Sequence, residues 1–501
     1  MKFKTPQELL EYTSNIKGKT FKEIDSENLL EGTSLNRQKG LLGHVVETGF
    51  YKYPRNNDSK ADFEELDIEL KVTGYVKNKD GSLRAKERLV LSKINFNKII
   101  NETFESSHVL GKCRKMLIIW YEYDSSKEVK DFLITDYQLY DLTKDFEIFN
   151  NDFEIIKGKV LDGKAHELSE GDTSYLGACT KARTSSDRTT QPYSTVLPKP
   201  RAFSLKNAYM TGILRENNTK PTHTISFKSI SEKPFKTPAP KNIKKIKPQQ
   251  TTLLQFNTTS KNNDDKIETE EPITSNHLKT SKENNFKTVT EYVKNKFEPY
   301  FGKTQIEILE EITGKKYFEK IPKNISKMIS DEVIGKDKDL PKKNDLFAKT
   351  SFIIKNLPLK EDNLPRERMS FKTISLSDFE EDWEDSFWKN YFEETTIITV
   401  CYSEKNKSRN GYRILTDVKQ ITFNENDLES FEKTYNQIKI AIEKKDINLL
   451  PTSANGFKNQ LLEIAPKGVK GDNAYVNFFK RDKTKVAFMI SKKLLIEKLK
   501  I

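Results

Sequence analysis

A chain of 501 residues with 35% hydrophobic and 32% charged residues is too long for one ordinary core and too polar to be packed throughout. Lys and Arg number 86 against 74 Asp and Glu, giving a net charge of +12 and a pI near 9.1, a balance that suits a polyanionic partner such as nucleic acid. No run approaches the ~18 consecutive apolar residues of a membrane span, and the opening MKFKTPQELL lacks an apolar signal core, so an integral membrane protein is excluded and a cytoplasmic location is expected.

In chain order, residues 1–215 read as alternating α and β. Leu41, Leu42, Val45 and Val46 have helical spacing within residues 38–53. Residues 66–76 alternate as a strand does, with Ile68, Leu70 and Val72 on one face and Glu69 and Lys71 on the other. Residues 88–96, 116–123 and 132–139 are further strand candidates, and MLIIWY (116–121) is apolar on both faces, as a central strand requires. Residues 216–285 are rich in Lys, Thr, Asn, Ser and Pro; such a stretch cannot offset its ordering entropy by burial and reads as a long flexible linker. Periodic apolar structure resumes at Phe286 and continues through residues 286–501.

The two ordered sections read as copies. Gly18-Lys19-Thr20 followed by Glu23-Ile24 recurs as Gly302-Lys303-Thr304 followed by Glu307-Ile308, 284 residues later. KERLVL from Lys86 matches RERMSF from Arg366, and RAFSLKNAYM from Arg201 matches VAFMISKKLL from Val486. Matches in one order at nearly constant offset indicate an internal duplication of domain-sized units.

Chemistry can sit where Asp62 approaches Glu69 and Lys71. Two carboxylates with open geometry suit Mg²⁺, which keeps several waters, and an adjacent ammonium can orient or deprotonate a bound water and stabilise phosphorane charge. This Asp…(Asp/Glu)-x-Lys pattern is shared by many metal-dependent DNA nucleases, which must lower barriers by as much as ~20 kcal/mol. The spacing alone equally describes a solvated strand face. At the 284-residue offset, however, Asp62 becomes Leu346 and Glu69 becomes Ile353, while Lys71 remains a lysine, Lys355. A dispensable metal site can be filled with hydrocarbon, whereas a solvated face more often changes to another polar residue.

Other signals are weaker. A phosphate-binding loop needs glycine five residues before Gly-Lys, but Thr13 and Phe297 stand there. His44, His108, His166, His223 and His277 are scattered, and Cys113, Cys179 and Cys401 form neither zinc spacing nor a disulfide framework, which fits a reducing compartment. Lys181, Arg183 and Arg188 in TKARTSSDRTTQ suit phosphates and base edges, or an ordinary exposed loop. Gln250, Leu253 and Phe256, at i, i+3 and i+6 behind a basic lead-in, resemble the short peptides that dock on sliding clamps.

The run KGLLGHVVE (39–47), then Asp62, then DIELK (67–71), resembles the MutH-related nucleases. KAHELSEGDTSYLGACTKA (164–182) and PRAFSLKNAYMTGIL (200–214) resemble especially the GATC-cutting type II restriction endonucleases built from two MutH-like halves. The resemblance implies an α/β fold of two restriction-endonuclease-like domains, each a mixed sheet flanked by helices. Residues 1–215 would be catalytic, 216–285 the linker, and 286–501 a DNA-binding, allosteric copy without the active site. It implies Asp62 and Glu69 as Mg²⁺ ligands, Lys71 as catalytic lysine and Glu47 as an additional acidic residue. DNA contacts would involve Lys39, Lys181, Arg183, Arg201, Ser204 and Lys206, with Lys467 and Lys492 in the second copy. Cys179 and Thr180 depart from the Arg-Pro that precedes this lysine in MutH, whereas Pro466-Lys467 keeps its Pro-Lys. The implied function is cutting of double-stranded DNA at GATC, 5′ of the G, with a second site bound, a possible dimer on DNA and a DNA methyltransferase as genetic partner. The alternatives are a mismatch-repair nickase and a non-catalytic, methylation-sensing DNA-binding protein.

Overall fold

The computed structural model describes residues 2–31, 40–53, 60–78, 80–182, 184, 186–219, 286–317, 320–406, 411–457, 461–467, 473–480 and 485–500. Among the described residues the first half forms seven strands: β1 (Ile68–Lys77), β2 (Leu83–Ala85), β3 (Leu89–Lys93), β4 (Lys115–Glu122), β5 (Leu133–Asp141), β6 (Leu176–Thr180) and β7 (Arg201–Leu205). They make a mixed sheet in the order β2-β1-β4-β5, with β1 and β4 parallel, and a small antiparallel sheet in the order β3-β7-β6. β4 is interior, as its unbroken apolar run requires. Met116, Ile118 and Trp120 enter one core, and Leu117, Ile119 and Tyr121 enter the core on the opposite face.

Among its described residues the second half forms six strands: β8 (Phe352–Leu359), β9 (Met369–Thr373), β10 (Thr396–Ser403), β11 (Ile414–Ile421), β12 (Leu462–Pro466) and β13 (Val486–Ile490). Their sheets run β8-β10-β11, with β8 and β10 parallel, and β9-β13-β12. The order and sense match β1-β4-β5 and β3-β7-β6. Small features repeat too. The β4/β5 register shifts at Trp120/Tyr121 and that of β10/β11 at Cys401/Tyr402. Thr20 bridges Leu133 as Thr304 bridges Ile414, and both threonines open capping boxes, with Glu23 and with Glu307. Duplication is therefore visible in backbone hydrogen bonding.

The halves pack as one unit. A single apolar cluster runs from Phe149, Phe153 and Phe203 through Val293, Phe297 and Ile308 to Ile398 and Val400. The helix Asn207–Thr219 continues past residue 215, where the sequence suggested a boundary, because β7 feeds it directly and Ile213 and Leu214 are buried. Residues 220–285, most of the expected linker, lie outside the described residues, as do Gln250, Leu253 and Phe256. Among the described residues no helix is long and apolar enough to cross a membrane.

Candidate active site

A tight turn brings the carboxylates together. Phe63 and Ile68 bridge through the 3₁₀ turn Glu64–Leu66, and Asp67 takes the left-handed conformation (φ +51°) that a short polar side chain tolerates. The chain doubles back, so Asp62 Oδ2 accepts the Leu70 N–H at 2.8 Å. That bond seats Asp62 beside β1, where alternation puts Glu69 and Lys71 on one face while Ile68 and Leu70 anchor the other in the core.

Glu69 is 3% exposed. Its Oε1 accepts from Lys71 Nζ at 2.7 Å and lies 3.5 Å from Lys112 Nζ, while its Oε2 is buried with no hydrogen-bond partner. Burial, then the charge of Glu69, pushes the Asp62 carboxyl up to about 6, against the Leu70 N–H and Lys71; Glu47 adds to the push. Burial opposes the charge on Lys71, but the carboxylates of Glu69 and Asp62 favour it, Glu69 also accepting its hydrogen bond, and its pKa rises. Burial raises the Cys113 thiol to about 12, so it is a neutral wall of the site at neutral pH.

Glu47 lies in a π-helical segment, Val45–Phe50, continuing the helix Leu41–His44, and its Oε2 is 3.5 Å from His44 Nδ1. Such segments recur at functional sites. Gly49 permits the close approach: a Cβ there would stand 2.3 Å from the Ile24 carbonyl oxygen.

Lys112 and Cys113 were not singled out in the sequence. They end the helix His108–Cys113 and reach the site because β4, entered directly after them, runs parallel to β1. No local spacing announces that neighbour.

The DNA-contact expectations divide. Lys181, Lys467 and Lys492 are exposed, whereas Lys39 and Arg183 lie outside the described residues. Arg201, Ser204 and Lys206 are 4%, 0% and 0% exposed. Arg201 donates to the Ala178 carbonyl at 2.7 Å, Ser204 to Glu170 at 3.2 Å, and Lys206 to the Thr173 carbonyl beside buried Asp152. Direct DNA contact by these three therefore gives way to a packing role. Alternation along β7 did not warn of this, because the second half covers the strand: Arg201 lies 3.5 Å from Glu425.

The family model of the DNA mismatch repair enzyme MutH matches residues 51–152, which hold Asp62, Glu69, Lys71, Lys112 and Cys113. The type II restriction enzyme Sau3AI of Staphylococcus aureus is 30% identical over 426 residues, covering 81% of this chain and 75% of that one. The chain belongs to the MutH-related type II restriction endonucleases. It is accordingly a site-specific deoxyribonuclease.

Restriction endonucleases of this kind generally use a divalent metal. Among the described residues no three His, Cys, Asp or Glu form a ready cage. Mg²⁺ needs less, since one or two carboxylates with waters and substrate phosphate suffice. The donors fit that pattern: half-buried Asp62 and buried Glu69 repel one another as neighbouring carboxylates, and Glu69 Oε2 is orphaned. A cation between them would relieve the repulsion that raises Asp62.

Proposed function

We propose that this restriction endonuclease is Mg²⁺-dependent and hydrolyses both strands of DNA at GATC, 5′ of the G, with residues 1–215 cutting and residues 286–501 binding a second copy of the site. The observation that carries this reading is the convergence of Asp62, Glu69 and Lys71 at the start of β1, set against Leu346, Ile353 and Lys355 in the other half. Asp62 and Glu69 would hold the metal, which when bound supplies positive charge to the phosphate and acidifies water.

The chain's own residues do the rest. The Leu70 N–H fixes Asp62, and Lys71 and Lys112 hold Glu69 by one oxygen, leaving the other available. Lys71, its pKa raised, is charged at neutral pH. It serves as a hydrogen-bond donor that orients the attacking water and stabilises charge on the phosphorane, rather than as the base. One water is consumed: its oxygen bonds to phosphorus, the P–O3′ bond breaks, and a 5′-phosphate and a 3′-hydroxyl result. Exposed Lys181 positions the duplex through its backbone.

One chain holds one such site, so breaking both strands takes two paired chains or two nicks with repositioning. A DNA methyltransferase would protect the host's own sites. Digestion of unmethylated plasmid with Mg²⁺ or with EDTA, followed by sequencing of the ends, tests the reading. Linear fragments opening with GATC are expected. Open circles alone would point to a nickase, and intact plasmid with shifted GATC duplex to a binding protein.

A further inference from the structure

The strand β8 keeps a lysine where β1 carries Lys71, but has no carboxylate for it to meet. In the parallel β8/β10 pair Lys355 stands opposite Thr399, as Lys71 stands opposite Ile118 in β1/β4. With Ile353 in the place of Glu69, the Lys355 ammonium turns to a backbone carbonyl, Ser370 O of β9, at 2.7 Å. The next carbonyl on β9, Phe371 O, receives a second ammonium, Lys467 Nζ, also at 2.7 Å.

Lys467 comes from the segment after β12 that matches Lys181 after β6. The Lys181 N–H donates to Pro200 O at 2.7 Å, as the Lys467 N–H donates to Lys485 O at 2.6 Å. The expected DNA-reading segment of the second half therefore delivers its lysine to the relic of the nuclease site. Each ammonium is hydrogen-bonded to a neutral backbone carbonyl. Burial, then the charge of Lys467, pushes Lys355 down to about 8, against the weaker pull of Asp337. Where the first half concentrates negative charge to suit a cation, the second concentrates positive charge half-open to solvent. Two ammoniums held on carbonyls, short of an anion, are complementary to a phosphate oxygen.

We propose that Lys355 and Lys467 form a metal-free phosphate clamp that holds one backbone phosphate of the duplex taken by the second half. The proposal rests on the reading that residues 286–501 bind DNA. It gives the retained lysine of the inactive copy a use: the contact once made through a metal to the phosphate is replaced by direct charge.

The test is fluorescence anisotropy of the full chain with a short duplex bearing one GATC, in Ca²⁺, as a function of salt. Lys355→Gln, Lys467→Gln and the double variant are compared with wild type. Stoichiometry comes from titration at high protein, and folding from thermal melting. Wild type is expected to take two duplexes per chain. Because both lysines serve one phosphate, the double variant should flatten the salt dependence of the second binding event by about 0.9 in the log–log slope, and each single variant, which keeps one ammonium on that phosphate, by less. The weaker duplex should be lost first. Lys355→Arg should keep the slope. Two duplexes per chain with an unchanged slope in the folded double variant would overturn the clamp alone. One duplex per chain would overturn the second-half reading and the clamp with it. A loss of about 0.9 in each single variant and about 1.8 in the double variant would replace one shared phosphate by two separate contacts, and so overturn the clamp as stated.

Discussion

Ile353 stands opposite Ile397 in β8/β10 as Glu69 stands opposite Met116 in β1/β4, so a buried carboxylate in one half corresponds to a branched hydrocarbon in the other. The change removes a group that is costly to bury unless a cation or an ion pair compensates it. Keeping Glu69 in the first half thus imposes a standing electrostatic cost, offset by Lys71 and Lys112 and, in our reading, by metal.

Replacing Lys71 by Ala should lower the cleavage rate by at least about 10²–10³-fold, the usual cost of removing one preorganised donor from a charged transition state. Affinity for GATC duplex in Ca²⁺ should change little, because Lys112 still holds Glu69. Single-turnover cleavage beside Ca²⁺ binding separates the two effects, and persistent cutting would refute the assignment of Lys71.

Glu69→Gln keeps shape and removes charge. Wild type should melt higher when Mg²⁺ or Ca²⁺ is added, by an amount corresponding to about 2.7 kcal/mol at a hundred times Kd, and the variant should lose that rise. EDTA should return wild type to the unliganded melting point. A melting point equally raised by metal in both proteins would place the metal elsewhere.

A second electrostatic centre lies between the halves. Arg88 of β3's approach meets Glu170 at 2.8 Å, Glu393 at 2.6 Å and Glu394 at 3.8 Å. One guanidinium cannot neutralise three buried carboxylates. For Glu393 burial is outweighed by Arg88 and Lys389, and its pKa falls well below the usual carboxylate range. For Glu394 burial dominates, Glu170 and Glu393 add to it against Arg88 and Lys206, and the pKa rises to about 7. A folded-state pKa above the unfolded value means that the native protein keeps a proton the unfolded chain has lost. This contribution therefore lowers stability as pH climbs from about 4.5 to 7. Asp62 and Asp152, each raised to about 6, act in the same direction, so the informative quantity is a difference. Melting curves between pH 5 and 8 should fall less steeply for Glu394→Gln than for wild type, and parallel curves would show that Glu394 is not the group concerned.

Much of this was legible in the sequence, and the omissions have physical causes. Period-two alternation placed Glu69 opposite Leu70, and the double-sided apolar run placed β4 inside. The repeated Gly-Lys-Thr threonines reappear as matched capping boxes. Lys112 and Cys113 were hidden because parallel pairing joins residues distant in sequence. Arg201, Ser204 and Lys206 misled because a cation near a basic loop looks exposed until the half that covers it is known. Burial depends on the partner surface, which local pattern does not encode.

That difference separates two lysines. Lys206 is fully buried beside Asp152, whose carboxylate also accepts the Ser174, Tyr175 and Leu176 N–H groups. Lys206→Met should cost about 1–3 kcal/mol by leaving the buried Thr173 carbonyl without its donor. Lys181→Ala, on an exposed residue, should leave denaturant stability within about 0.5 kcal/mol of wild type and flatten the salt dependence of DNA binding. The reverse pattern in denaturation and binding would show that the arm is read wrongly.

If Asp62 and Glu69 are the only metal carboxylates and the second half holds another site, a plasmid with one GATC can be cut only through a second chain or through release and rebinding. A two-site plasmid supplies the second duplex in cis. At low enzyme, two-site plasmid should be linearised faster, and one-site plasmid should accumulate open circles first. A short GATC duplex added in trans should speed the one-site reaction and then inhibit it at high concentration, once both halves are filled by separate duplexes. Equal rates on the two plasmids at low enzyme, with no effect of the added duplex, would mean that the second half does not gate cutting. The loss of its carboxylates would then have to be explained by DNA affinity alone.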